Sequence, residues 1–194
     1  MLINIISQMN FLDILLLIIA LRICYTAAKT GLAIEFFKLL GVLFATYVAL
    51  HYYTSISDLI QRRFVPKELM PLEFFDFIVF FILAWAAYLG FVALRSIFYR
   101  FMSLEATPKL NKFGGLILGI GRAFLSVGLL VYMLTISSVS YLSNSVKHSY
   151  LGRKSVIISP VTYHWLWSSV VAKFSKHEKF NPIVSEIMGQ EKRK

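Results

Sequence analysis

Polar positions divide the chain into four long apolar stretches, at about residues 11–25, 32–53, 74–98 and 115–142. The first opens as Asn10-Phe11-Leu12-Asp13, a helix start with Asn10 as cap and Asp13 at the third position. Nothing basic precedes its apolar core and Arg22 follows it, which argues against a cleaved signal peptide. Met9 offers a second start, which would make residues 1–8 an extension. The second stretch carries Glu35 and Lys38 in its first two turns and closes on His51-Tyr52-Tyr53, as an interfacial aromatic belt does. The link from Tyr25 to Gly31 is short enough to predict a tight hairpin between antiparallel neighbours. Residues 54–73 read as a polar connection. Pro71, Glu73 and Asp76 then start a third helix, whose 18 residues from Phe77 to Leu94 are uncharged and end on Arg95 and Arg100.

The fourth stretch organises the rest. From Ala123 to Val146 run 24 uncharged residues, which at about 1.5 Å each exceed a hydrocarbon core of roughly 30 Å. Its glycines form two adjoining stripes: Gly115 and Gly119 four apart, and Gly114, Gly121 and Gly128 seven apart. Glycine offers nothing to lipid but lets a second helix approach backbone to backbone, so these five are predicted helix-packing positions. Beyond the fourth helix, Ser149–Lys154 reads as a loop. Ser159-Pro160 reads as the cap and first position of a short helix over Val161–Phe174, with Trp165 and Trp167 as interfacial residues. Val161, Trp165, Leu166, Val170 and Phe174 fall broadly on one side, with Ser168, Lys173 and Lys176 away from it. Residues from Ser175 to Lys194 are expected to be a mobile polar tail. The predicted fold class is therefore all-α: a polytopic membrane protein with four transmembrane helices plus a C-terminal interfacial amphipathic helix. Residues 9–146 form the transmembrane domain, and 147–194 the interfacial helix and tail.

Composition agrees with this class. Hydrophobic residues make up 58% and charged residues 15%, against about 25% charged in soluble domains. The net charge of +10 points to lipid headgroups and topology, because the basic residues flank apolar runs. No basic run interleaves with aromatics as a nucleic-acid surface requires. Eight basic residues (Arg22, Lys29, Lys38, Arg95, Arg100, Lys109, Lys112 and Arg122) lie on the side of the two short loops. Six near-membrane ones (Arg62, Arg63, Lys67, Lys147, Arg153 and Lys154) lie on the other, so the termini are expected outside the cytoplasm. The single Cys24 excludes an internal disulfide.

Three charges sit inside or beside the apolar zone: Asp13, Glu35 and Arg122. Asp13 has a plain role at a helix N-terminus and a sharper one as a proton relay. Arg122 at the bilayer centre would cost at least about 2.5–3.5 kcal/mol. It therefore either finds a partner, for which Glu35 is the candidate on the same side and at similar depth, or snorkels to headgroups. His51 has no companion at metal spacing. There is no His-Glu-x-x-His, no Gly-x-Ser-x-Gly and no dinucleotide-binding glycine loop, so neither a catalytic site, a metal nor a cofactor is expected.

Taken in order, these motifs resemble the colicin V production (CvpA) family of small bacterial inner-membrane proteins. The carrying residues are Asn10-Phe11-Leu12-Asp13; Gly31, Glu35, Leu40 and Gly41; and Asn111, Lys112, Gly115, Gly119 and Arg122. A Ser-x-x-x-x-Pro patch before the Trp-containing segment extends the similarity over about residues 9–170. Ala123 and Ala27 depart from it where family members carry glycine. The resemblance implies a multi-pass protein of the bacterial inner membrane tied to toxin production or export and to envelope homeostasis, and not an enzyme. Its expected partners are the lipid bilayer and either further copies of itself or an export component, docked on the glycine-lined fourth helix. The alternative is a subunit of a small oligomeric channel or transporter, with Glu35 and Arg122 lining the path.

Overall fold

A computed structural model describes residues 9–64, 71–101, 108–175 and 178–191; Lys176 and Lys67, used in the sequence reading, fall outside these. Every regular element among the described residues is helical. Four are long: α1 (Phe11–Thr30), α2 (Leu32–Phe64), α3 (Leu72–Phe101) and α4 (Pro108–Thr135). Each is long and apolar enough to cross a membrane. Four short ones follow: α5 (Ser140–His148), α6 (Tyr150–Ser155), α7 (Ile158–Leu166), which runs on through a π turn (Trp167–Val171) to Ala172–Phe174, and α8 (Pro182–Glu191).

Several boundaries differ from the sequence reading. α2 continues beyond Tyr53 to Phe64, so much of the expected 54–73 loop is helix. Its Ser57 hydroxyl satisfies itself on Thr54 O and on Asp76 of α3 instead of breaking the helix. α4 starts at Pro108 and stops at Thr135, short of residue 142. Ser137 Oγ there accepts from Val139 N, offering the backbone a local alternative to helix. The expected loop at 149–154 is mostly α6, capped by Ser149 Oγ, which accepts from Gly152 N at 2.7 Å. The helix that follows opens at Ile158, with Ser159 and Pro160 already inside its first turn and no side-chain cap.

The long helices form a row. α4 packs between α1 and α2, and α2 between α4 and α3, while α3 and α4 touch only sparsely. α1 and α2, joined through Gly31, also share few contacts. The expected side-by-side hairpin is therefore replaced by two helices splayed by α4. One apolar core lies on each side of α4. Leu12 and Leu16 of α1 meet Val127, Val131, Val146 and Val156; Leu50 and Tyr53 of α2 meet Phe80, Tyr132, Tyr163 and Val184. The outer sides of α1 and α3 leave Ile14, Ile18, Ile82 and Ile97 each more than half exposed, as a lipid-facing surface requires.

The short C-terminal helices pack onto one face of this row. Part of the expected mobile tail is docked there. Val184 is fully buried, and Asn181 Nδ2 donates to Leu50 O at 2.7 Å and to Thr54 Oγ1 at 3.2 Å.

Candidate functional site

Gly31 sits between α1 and α2 with φ +87°, a conformation that favours glycine. A Cβ here would also collide with the Asn111 side chain of α4. That asparagine caps α2 from a distance, its Oδ1 accepting from Leu32 N at 2.7 Å. Placed this way, α2 presents Glu35 to α4 one turn in. The Glu35 carboxylate is fully buried. Its Oε1 accepts from Thr30 Oγ1 and Lys38 Nζ, both at 2.6 Å, and its Oε2 from Arg122 Nε at 2.8 Å. Glu35 and Arg122 thus meet as an ion pair with Arg122 8% exposed. Lys38 is a member of this cluster that the sequence reading overlooked, although its i,i+3 spacing from Glu35 is a signal.

The cluster carries an excess of positive charge. Lys38 and Arg122 supply two cations against one carboxylate. Among the described residues, none accepts a hydrogen bond from either Nη of Arg122, whose guanidinium lines a groove between α3 and α4. Contacts of Gly119 with Cys24, Gly121 with Leu39 and Gly41 with Phe91 bring Arg22, Lys38 and Arg95 within about one turn of Arg122 in height. These basic residues form a belt at one edge of the apolar zone.

Asp13 lies toward the opposite end and does not reach that cluster. Asn10 and Asp13 form a capping box, Asn10 Oδ1 accepting from Leu12 N and Asp13 Oδ2 from Asn10 N. The same buried carboxylate also accepts from Ser149 Oγ at 2.6 Å, Leu151 N at 2.7 Å and Tyr150 N at 3.2 Å. It therefore joins the start of α1 to the start of α6, a long-range link that local spacing does not reveal.

The glycines divide by what surrounds them. A Cβ on Gly115 would come within 2.8 Å of Ala27 O and 3.0 Å of Gly31 C, and one on Gly119 would overlap the Ala27 side chain. Gly128 faces Ile158 of α7, with Cβ contacts at 2.7 Å, and Gly114 faces the flexible Leu32 side chain. Gly121 differs from the packing expectation, since its Cβ would meet only Leu39 Cδ1 at an ordinary 3.9 Å. The crowded glycines serve contacts within this chain, against α1, the Gly31 turn and α7. Their face is not open to a second protein.

Of the two tryptophans expected at the interface, Trp165 is exposed, whereas Trp167 stacks on His51 with ring centroids 5.5 Å apart. Val161, Val170 and Phe174 are exposed like Trp165, while Tyr163 turns inward. Its hydroxyl meets His51 Nδ1 at 2.8 Å and accepts from Asn181 N at 3.2 Å. Glu178 accepts from Tyr47 and Tyr52.

The model of the family described as colicin V production protein matches residues 12–178. The chain belongs to that family. The match spans all four long helices and the docked α7, so Asp13, Glu35 and Arg122 all fall inside it. This colicin V production family is one of membrane proteins not known as enzymes. No curated protein and no solved structure matches the chain.

Proposed function

We propose that this colicin V production family member is an accessory protein of the bacterial inner membrane. It serves toxin production or export, or envelope homeostasis, by helix–helix association. Its Gly31 turn faces the cytoplasm and its termini the periplasm. The observation that supports association over chemistry is the saturation of its buried acids. Glu35 accepts three hydrogen bonds and Asp13 accepts from four donors, so both are committed to holding helices together. The glycine face of α4 is used internally, which moves the docking surface to the outer side of α3, where Ile82 and Ile97 are 56% and 57% exposed. A row of helices encloses no axis, so conduction would demand several copies.

Photo-crosslinking in native membranes tests this reading. A crosslinker at Ile82 or Ile97 should capture another protein or a second copy at discrete mass, and one at Ile18 on α1 should capture much less. Lipid adducts alone from α3 positions would remove the basis for a docking role. Cysteine labelling from either side of intact cells tests the orientation.

A further inference from the structure

The basic cluster opens onto a groove that the proposed association does not use. Its volume is about 420 Å³. Arg122 stands at one end, and Val42, Trp85, Leu89, Leu130 and Met133 supply apolar walls. Ser126 lies one turn on from Arg122. The groove is on the face of α2 away from the C-terminal layer: Val42 and Ala45 line it, whereas Tyr47, His51 and Thr54 meet Glu178, Tyr163 and Asn181. Trp85 and Leu89 are about half exposed, so the groove opens sideways toward the bilayer.

We propose that this groove binds one anionic phospholipid, its phosphate at Arg122 and an acyl chain running from Leu89 toward Met133. Charge and length each favour that occupant. The buried cluster holds two cations and one carboxylate, and among the described residues neither Nη of Arg122 has an acceptor, so a single negative charge completes it. From Arg122 to Met133 the helix rises about 16 Å, which matches one leaflet of a hydrocarbon core of roughly 30 Å. Arg122 also belongs to the basic belt at the edge of the apolar zone, the height at which headgroups lie.

The test titrates detergent-purified protein with phosphatidylglycerol or phosphatidylcholine of identical chains and counts bound lipid per protein by native mass spectrometry. One phosphatidylglycerol per chain is expected to bind at least tenfold more tightly than phosphatidylcholine. Arg122→Gln should abolish that preference, and Ser126→Phe, which obstructs the groove without touching the ion pair, should weaken binding of both lipids about tenfold. If Arg122→Gln fails to fold, the Ser126→Phe variant still decides, because unchanged lipid binding there would overturn the assignment. Equal affinity for the two lipids in the unaltered protein would also overturn it. So would displacement of phosphatidylglycerol by millimolar inorganic phosphate, which would show a site for the free anion, or lipid-free dimers as the sole species.

Discussion

Removing Glu35 should be worse than removing Arg122, although each is half of the same ion pair. Glu35→Gln leaves Lys38 and Arg122 facing each other in a buried site without a carboxylate among the described residues. Breaking a buried pair so that a charge is left uncompensated costs about 3–5 kcal/mol, and here two charges are stranded. Arg122→Gln leaves Glu35 with Thr30 and Lys38 still donating at 2.6 Å. The loss is then one charge-assisted hydrogen bond, about 1.5–3 kcal/mol. The double substitution should fall short of the sum by at least about 1.5 kcal/mol, because the second change removes an interaction already lost. Reversible unfolding in mixed micelles, followed by circular dichroism as the fraction of dodecyl sulfate rises, gives all three values. Additive losses would show that Arg122 and Glu35 do not interact. A larger loss for Arg122→Gln would refute the role given to Lys38.

The glycine seam, the Asp13 link and the docked tail are each open to the same kind of test. Gly115→Ala forces a Cβ onto the Ala27 carbonyl and the Gly31 backbone and should destabilise by about 1–3 kcal/mol in the micelle assay. Gly121→Ala, with nothing nearer than 3.9 Å, should be neutral or should stabilise by up to about 1 kcal/mol through helix propensity; equal losses at the two positions would refute the distinction. Asp13→Ala strands the Ser149 hydroxyl and the amides of Tyr150 and Leu151. It should lower stability by roughly 2–4 kcal/mol and expose Arg153 and Lys154 to faster tryptic cleavage, so an unaltered cleavage rate would remove the link. Burial pushes the Tyr163 phenol up to about 12. A folded-state value above the ordinary one of about 10 means that its contribution is complete below pH 10 and lost as pH climbs through about 12. Tryptophan fluorescence should report this alkaline release of the His51–Tyr163–Asn181 contacts, and an identical transition in Tyr163→Phe would assign it elsewhere.

What the sequence made legible follows from how far each signal reaches along the chain. The cap and its acid lie within four residues, Asn10 to Asp13, and the glycines of α4 are spaced by helical geometry, so both are legible. An absence of charge marks lipid-compatible sequence but not helix continuity. For that reason the fourth span reads as continuous over residues 115–142, although Ser137 and its neighbours end α4 and α5 begins anew at Ser140. At 54–64 the converse holds, since polar residues suggest a loop where the chain is helical. α2 continues as helix while Ser57 reaches Asp76 on the next helix. The docking of the tail is not legible in sequence because Asn181 looks there like any other polar residue. Its value lies in the Leu50 carbonyl and Thr54 hydroxyl, more than a hundred residues away, and in the nearby Tyr163 phenol oxygen, all of which accept from it.

The placing of the charges explains why a row of helices, which has less mutual contact than a closed bundle, holds its order. Helices in lipid gain little from apolar contact, because acyl chains solvate leucine as well as another helix does. Specific order then rests on close backbone approach and on polar groups with nowhere else to turn. α4 has both. Gly115 and Gly119 let α1 approach it on one side, and Arg122 takes Glu35 of α2 on the other. At the far end Asp13 ties α1 to α6, which follows α4 and α5 in the chain. α1 and α2 are therefore each held to α4 or its continuation by a saturated carboxylate. By contrast α3 is joined to the row through α2 and touches α4 only sparsely, and that asymmetry makes α3 the side on which lipid or a partner can be exchanged without disturbing the links to α4.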